Sequence, residues 1–240
     1  MPKININMQW LMPLATAAWA VWTWASDREQ ERNKERERRS ALYVNPYLSA
    51  CEDLQSRIYS ILELGGLSLL RKRFPDGSYA EETLYLVFRY FGWAVAVERH
   101  GEYTRDPVVM RLASTVRSAF SRAASVEQVG PFNFFQTEQK AMGKLVMTTV
   151  GGQYGVEPET ISYQEFKKLL NSPPMSESES LMETLEALRR ADDAESLPGR
   201  DRLAKVQNHL VDLLDYIEGK VGYSVFFGKR KKCRIPPMAG

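Results

Sequence analysis

Apolar residues recur along the chain at spacings that predict helices almost throughout. The first run is the most continuous: Ile4 to Ser26 contains no charged side chain, and Met8 to Ala25 is mostly apolar. Asp27 to Arg39 then has almost no apolar residue, and its Glu35–Arg39 and Glu31–Lys34 spacings suit a helix surface. Asn45-Pro46 predicts a break, because a residue before proline avoids the helical region. From about Pro46 to Leu64, Leu48, Cys51, Leu54, Ile58, Ile61 and Leu62 fall on one helical face, and Gly65-Gly66 ends it. Pro75-Asp76-Gly77 predicts a turn, and Ser78-x-x-Glu81 has the spacing of a capping box. The helix it opens, to about Arg99, is apolar on most faces (Leu84, Tyr85, Val87, Phe88, Phe91, Trp93) and is expected at the centre of the fold.

Asp106-Pro107 opens the next helix, with a stripe of Val109, Leu112, Val116 and Phe120, and Gly130-Pro131 breaks it. Phe135 to Val150 reads as helical through Met142, Leu145, Val146 and Val150. After a loop at Gly151-Gly152 and Pro158, Ser162-x-x-Glu165 caps a short helix ending near Leu170. Asn171 to Ser180 is rich in Ser, Pro and Glu and is expected to be a mobile linker. Glu179 to Arg190 is helical, and Asp201 to Glu218 has the cleanest stripe of all: Leu203, Val206, Leu210, Leu213, Leu214, Ile217. Strand patterning is confined to Tyr223–Phe227, and there is no internal repeat. The expected architecture is therefore all-α: an N-terminal transmembrane helix over 1–26, a charged helical neck over 27–44, a bundle of five to seven helices over 45–220 with its linker at 171–180, and an aromatic and basic tail over 221–240.

The anchor reading rests on length and aromatics. Eighteen residues at about 1.5 Å each approach the thickness of a bilayer core. Trp10, Trp19, Trp22 and Trp24 mark both ends of the run, where interfacial aromatics belong. A cleaved signal peptide and a buried core helix are the competing readings; only Lys3 precedes the run, and Thr23-Trp24-Ala25 makes a poor cleavage site. Six basic residues follow the run and one precedes it, so the body is expected in the cytoplasm and the N-terminus outside, across a bacterial inner membrane.

Charge and composition change the picture in two places. The chain carries 32 Lys plus Arg against 30 Asp plus Glu, a near balance that argues against a nucleic-acid partner. Ser40 to Gly228, however, holds 20 basic and 25 acidic residues, so positive charge concentrates in the neck and in the tail. The tail bases Lys229, Arg230, Lys231, Lys232 and Arg234 sit beside Tyr223, Phe226 and Phe227, a pattern suited to an anionic lipid surface, RNA or a partner protein, or simple solvation. Two cysteines and two histidines leave no cysteine-rich zinc site and little scope for a histidine-based one, so no metal or other cofactor is expected.

No phosphate-binding loop, dinucleotide fingerprint or nucleophile elbow occurs; Gly65-Gly66 and Gly151-Gly152 are expected to cap helices. The polar residues among apolar stretches are the remaining candidates for chemistry. Arg57, Glu82 and Glu138 would form a buried ionic cluster if the bundle brought them together, either a structural staple or, with Glu82 and Glu138 as acid and base, a ligand or catalytic site. Cys51 is expected in the core, and His100 and His209 at the surface or a helix end.

Four segments, Leu54-Gln-Ser-Arg-Ile-Tyr59, Glu82-Thr-Leu-Tyr-Leu-Val-Phe-Arg-Tyr-Phe-Gly-Trp93, Glu138-Gln-Lys-Ala-Met-Gly143 and Leu210-Val-Asp-Leu-Leu-Asp-Tyr-Ile217, together resemble an uncharacterised family of bacterial membrane-anchored helical proteins. The likeness covers about Asn45 to Val150 and the last helix. It implies an architecture and a bacterial membrane, and no activity. The function expected from the whole is a membrane-tethered interaction or regulatory module that binds a protein partner or a second copy. A lipid-surface or envelope-organising factor and an enzyme or ligand binder are the alternatives.

Overall fold

The computed structural model describes residues 11–100, 106–121, 130–153, 155–221 and 228–235. Helix dominates, as the periodicity requires. The chain begins with α1 (Leu11–Arg39), passes through a π-helical turn (Ser40–Val44) and continues directly into α2 (Asn45–Glu63). Asn45 keeps helical angles, φ −61° and ψ −45°, in front of Pro46. The expected break is thus a widened turn: proline has no N–H to donate, and a π turn accommodates its ring without ending the helix.

Short α3 (Gly66–Arg73) precedes α4 (Ser78–His100), then α5 (Pro107–Ser121), α6 (Gln136–Val146), strands β1 (Met147–Gly152) and β2 (Gly155–Thr160), α7 (Tyr163–Leu170), α8 (Pro173–Ser176), α9 (Glu179–Arg190) and α10 (Arg200–Val221). The short α3 and α8 exceed the five to seven helices expected of the body. The hairpin is a second difference: β1 and β2 pair antiparallel from Met147↔Thr160 to Gly152↔Gly155, where a helix end and a loop were expected. Gly151-Gly152 therefore lies in a strand, while Gly65, at φ +66°, does follow a helix. No described hairpin residue is buried, so no buried face imposed an alternation on the sequence. Tyr223–Phe227 lies outside the described residues.

The membrane anchor is corrected as well. Among the described residues no helix is long and apolar enough to cross a membrane. Within α1 the uncharged stretch ends at Ser26, and Asp27-Arg28 opens the charged run. Tryptophan, threonine and proline dilute what a span of about 20 strongly apolar residues would need. The single-pass topology, the orientation drawn from flanking charge and the inner-membrane placement lose their basis with it.

The core forms where α4 packs on α2 and α6, and α10 packs on α2 and α5. Phe88, Tyr90, Phe91, Phe120, Phe134 and Phe166 are fully buried. Phe91 meets Phe120 edge-on at 5.1 Å and Phe134 at 5.9 Å, the arrangement that ring quadrupoles favour. The close approach of α4 and α6 depends on two glycines. A Cβ on Gly143 would lie 2.7 Å from the Phe91 carbonyl oxygen, and one on Gly92 would lie 2.9 Å from the Met147 sulfur. Ser162 and Glu165 cap α7 reciprocally, as expected. Ser78 instead donates to Asp76 from its N–H and hydroxyl, at 3.1 and 2.8 Å, which frees Glu81 to pair with Arg189 and Lys167.

Candidate functional site

Among the described residues three regions are candidates for binding, and one of them encloses a ligand-like segment. That region is the groove between α2 and α10, which the C-terminal residues 228–235 occupy as an extended strap. Arg230 is its anchor, with a side chain only 3% exposed. Its Nε donates to Glu52 at 2.6 Å, and its two terminal nitrogens donate to Glu218 at 2.8 and 2.7 Å and to Asp215 at 3.2 Å. Burial alone would weaken the guanidinium's hold on its proton. The bonds to Glu218 and Glu52 and their charges outweigh it, so the pKa stands above its ordinary value.

Past the anchor, α10 holds the strap by its main chain. Gln207 donates its Nε2 to the Lys231 carbonyl at 2.9 Å and accepts the Cys233 N–H at 3.0 Å. Asn208 closes a second pair: it accepts the Cys233 N–H at 2.8 Å and donates to the Cys233 carbonyl at 3.1 Å. The Arg234 N–H donates to Glu63 at 2.8 Å, and Lys232 pairs with Asp212 at 2.5 Å. Gln207 also donates to Gln55, which in turn donates to Glu52, so the two helices share one hydrogen-bonded floor. Cys233 is buried, and burial pushes its thiol up to about 12, with Glu63 adding to the shift. Among the tail bases of the sequence reading, Arg230 and Lys232 are thus bound to body carboxylates, while Lys229, Lys231 and Arg234 keep exposed side chains.

The polar cluster expected in the bundle core divides. Arg57 donates to Glu82 at 2.8 Å and to Thr83 at 3.3 Å, and lies 4.8 Å over the Tyr79 ring. Glu82 itself is nearly half exposed. Glu138 is engaged elsewhere: it accepts the Phe135 N–H at 2.7 Å, closing the first turn of α6, and the Ser180 hydroxyl at 3.1 Å. The two carboxylates considered as an acid and base therefore serve different partners on different elements. Cys51 is fully buried, and His100 stacks on Tyr43 at the end of α4. Among the described residues no group of three His, Cys, Asp or Glu is placed to hold a metal ion.

The third region is α1. Trp19, Trp22 and Trp24 are 67%, 66% and 60% exposed, and Val21 is equally open. At 100° per residue, Trp19 and Trp22 share one side of the helix while Val21 and Trp24 lie opposite. Arg28 stands 4.7 Å over the Trp24 ring. A shallow depression follows Trp24, Arg28, Arg32 and Arg36, but every residue lining it belongs to α1, so it has no facing wall. Trp10 lies outside the described residues.

No family model, curated protein or solved structure matches this chain. The resemblance of the four segments above brings it no activity.

Sequence reasoning missed Glu52, Gln207, Asn208, Asp215 and Glu218 as members of a site. One signal was legible: Gln207-Asn208 interrupts the most regular apolar stripe of the chain, and Gln207 is fully buried. A buried amide must find partners, and the tail supplies them.

Proposed function

We propose that this protein is a helical interaction module: a packed body that holds out α1 as a docking arm for a protein partner. The observation that carries the reading is the exposure of three indoles and a valine on opposite sides of one helix. Burying a large apolar side chain is worth about 1.5–3 kcal/mol, and a helix that is apolar all round belongs inside a packed structure. Tryptophan is also the residue most often found at the energetic centre of protein interfaces. A groove that covers one side of α1 would leave Trp24 and Val21 bare. The partner therefore encloses the arm, as helices of a bundle do.

The test is photo-crosslinking of the full chain in its source cell, with a photo-reactive residue at Val21 and, separately, at the half-exposed body position Glu186. A discrete adduct from Val21 that is absent from Glu186 supports the arm, and its added mass tells a second copy from a different protein. Loss of the adduct in a Trp19→Ala, Trp22→Ala, Trp24→Ala variant of unchanged body stability assigns it to the indoles. No discrete adduct, or the same adducts from both positions, overturns the reading.

A further inference from the structure

The strap is bound the way a peptide is bound. Its main chain forms no ladder with a strand; side-chain amides and a carboxylate take the Lys231 carbonyl, the Cys233 N–H and carbonyl, and the Arg234 N–H. Contacts of this kind read an extended backbone whatever its sequence. Selectivity comes from two inward side chains three residues apart, Arg230 and Cys233; Lys231 is exposed, and Lys232 stays half-exposed at the rim, where it pairs with Asp212. A spacing of three is that of an extended polyproline-type segment, whereas a strand turns every second side chain inward.

The walls are polar as well. Of the polar residues buried in the fold, Gln55, Gln207 and Glu218 all line this groove. Glu52, Glu63, Asp212, Asp215 and Glu218 set carboxylates along its length. An apolar groove without its ligand would be costly to expose to water, but this one hydrates readily and is strongly negative. A second extended segment with arginine at the same place would restore every bond the strap makes, so exchange of one for the other changes little but the tether.

We propose that the α2–α10 groove is a peptide-binding site for an extended basic segment of a partner protein, one carrying an arginine and, three residues on, a small side chain, and that the C-terminal strap is its resident ligand in cis. Tethering by the six residues between Val221 and Gly228 gives the strap an effective concentration on the order of millimolar. The partner segment thus binds only when it is locally concentrated or makes further contacts of its own.

Cys233 reports the exchange in the wild-type full chain. With the strap seated the thiol is buried, and with the strap displaced it is accessible; Cys51, fully buried on the inner face of α2, reports global unfolding. The experiment follows modification of both thiols by an aromatic disulfide reagent, with a synthetic peptide of residues 229–235 carrying Cys233→Ser added up to several millimolar. The expected result is that Cys233 reacts at least tenfold faster than Cys51 and that its rate rises several-fold with peptide while that of Cys51 does not. The same peptide carrying Arg230→Ala should lose most of the acceleration. Reaction of both thiols at one common rate, no response to peptide, or an equal response to the Arg230→Ala peptide would overturn the proposal.

Discussion

The arm and the strap are the two basic segments of this protein, and in sequence they look alike: a run of arginine and lysine next to aromatic residues. In the structure they have opposite fates. In α1, Arg39 is answered by Glu35 of the same helix at 3.0 Å, and Trp19, Trp22 and Trp24 are exposed. Arg230 is answered by Glu52, 178 positions earlier in the chain, and by Glu218 on another helix, and it disappears from the surface. What separates them is the location of the complementary carboxylates. The arm carries its own, five of them between Asp27 and Glu37. The strap carries none, and part of the acidic excess of the body is gathered at the groove that receives it.

Removing the anchor should have the largest effect. Arg230→Ala leaves Glu52 and Glu218 facing each other without their cation, and breaking a buried pair of this kind costs about 3–5 kcal/mol. Urea unfolding of the full chain measures it, and a loss below about 1 kcal/mol would mean that Arg230 does not anchor the strap. Gln207→Ala comes next. It deprives the Lys231 carbonyl and Gln55 of their donor and should cost about 1–3 kcal/mol in the same measurement.

Acid should act on neither segment first but on the contact between α5 and α10. The carboxyl of Asp106 is held below its ordinary value, chiefly by its bond with Lys220 and further by the N–H groups of Val108 and Val109 at the start of α5. Its contribution to stability is present above the ordinary carboxyl pKa and is lost as pH falls through the depressed value. Asp106→Asn retains the helix cap but not the charge pair, so its unfolding midpoint should depend less on pH below about 4. An unchanged acid limb would show that the α5–α10 contact carries no proton linkage. The smallest effect belongs to the arm: replacing Trp19, Trp22 and Trp24 with alanine should move body stability by less than about 0.5 kcal/mol. A larger loss would mean that α1 packs on the body through its indoles.

Which features could be read in the sequence follows the same division. The stripe Leu203, Val206, Leu210, Leu213, Leu214 and Ile217 predicted α10, and all six side chains are buried, because a helix lying on a core records its inward face at a fixed period. Phe88 and Phe91 placed α4 at the centre for the same reason. The hairpin left no such record, since Val150 and Val156 both face solvent. At Pro46 a local rule misled, because the strain it anticipates is relieved by widening the preceding turn. The candidate site was least legible of all. Arg57 with Glu82 could be anticipated from their places on neighbouring helices. The pairing of Arg230 with Glu52 and Glu218, and of Cys233 with Asn208, depends on how α2 and α10 cross, which no local pattern encodes.

The unbroken path from α1 through the π turn into α2 has one more consequence, and it concerns distance. A helix advances about 1.5 Å per residue, so Trp19 stands roughly 30 Å along the axis from Ser40. The charged stretch between them acts as a ruler that fixes how far from the body a partner is held. Deleting four residues from it would bring the indoles about 6 Å closer while turning them by about 40°; deleting two would shorten it by about 3 Å and point them almost the opposite way.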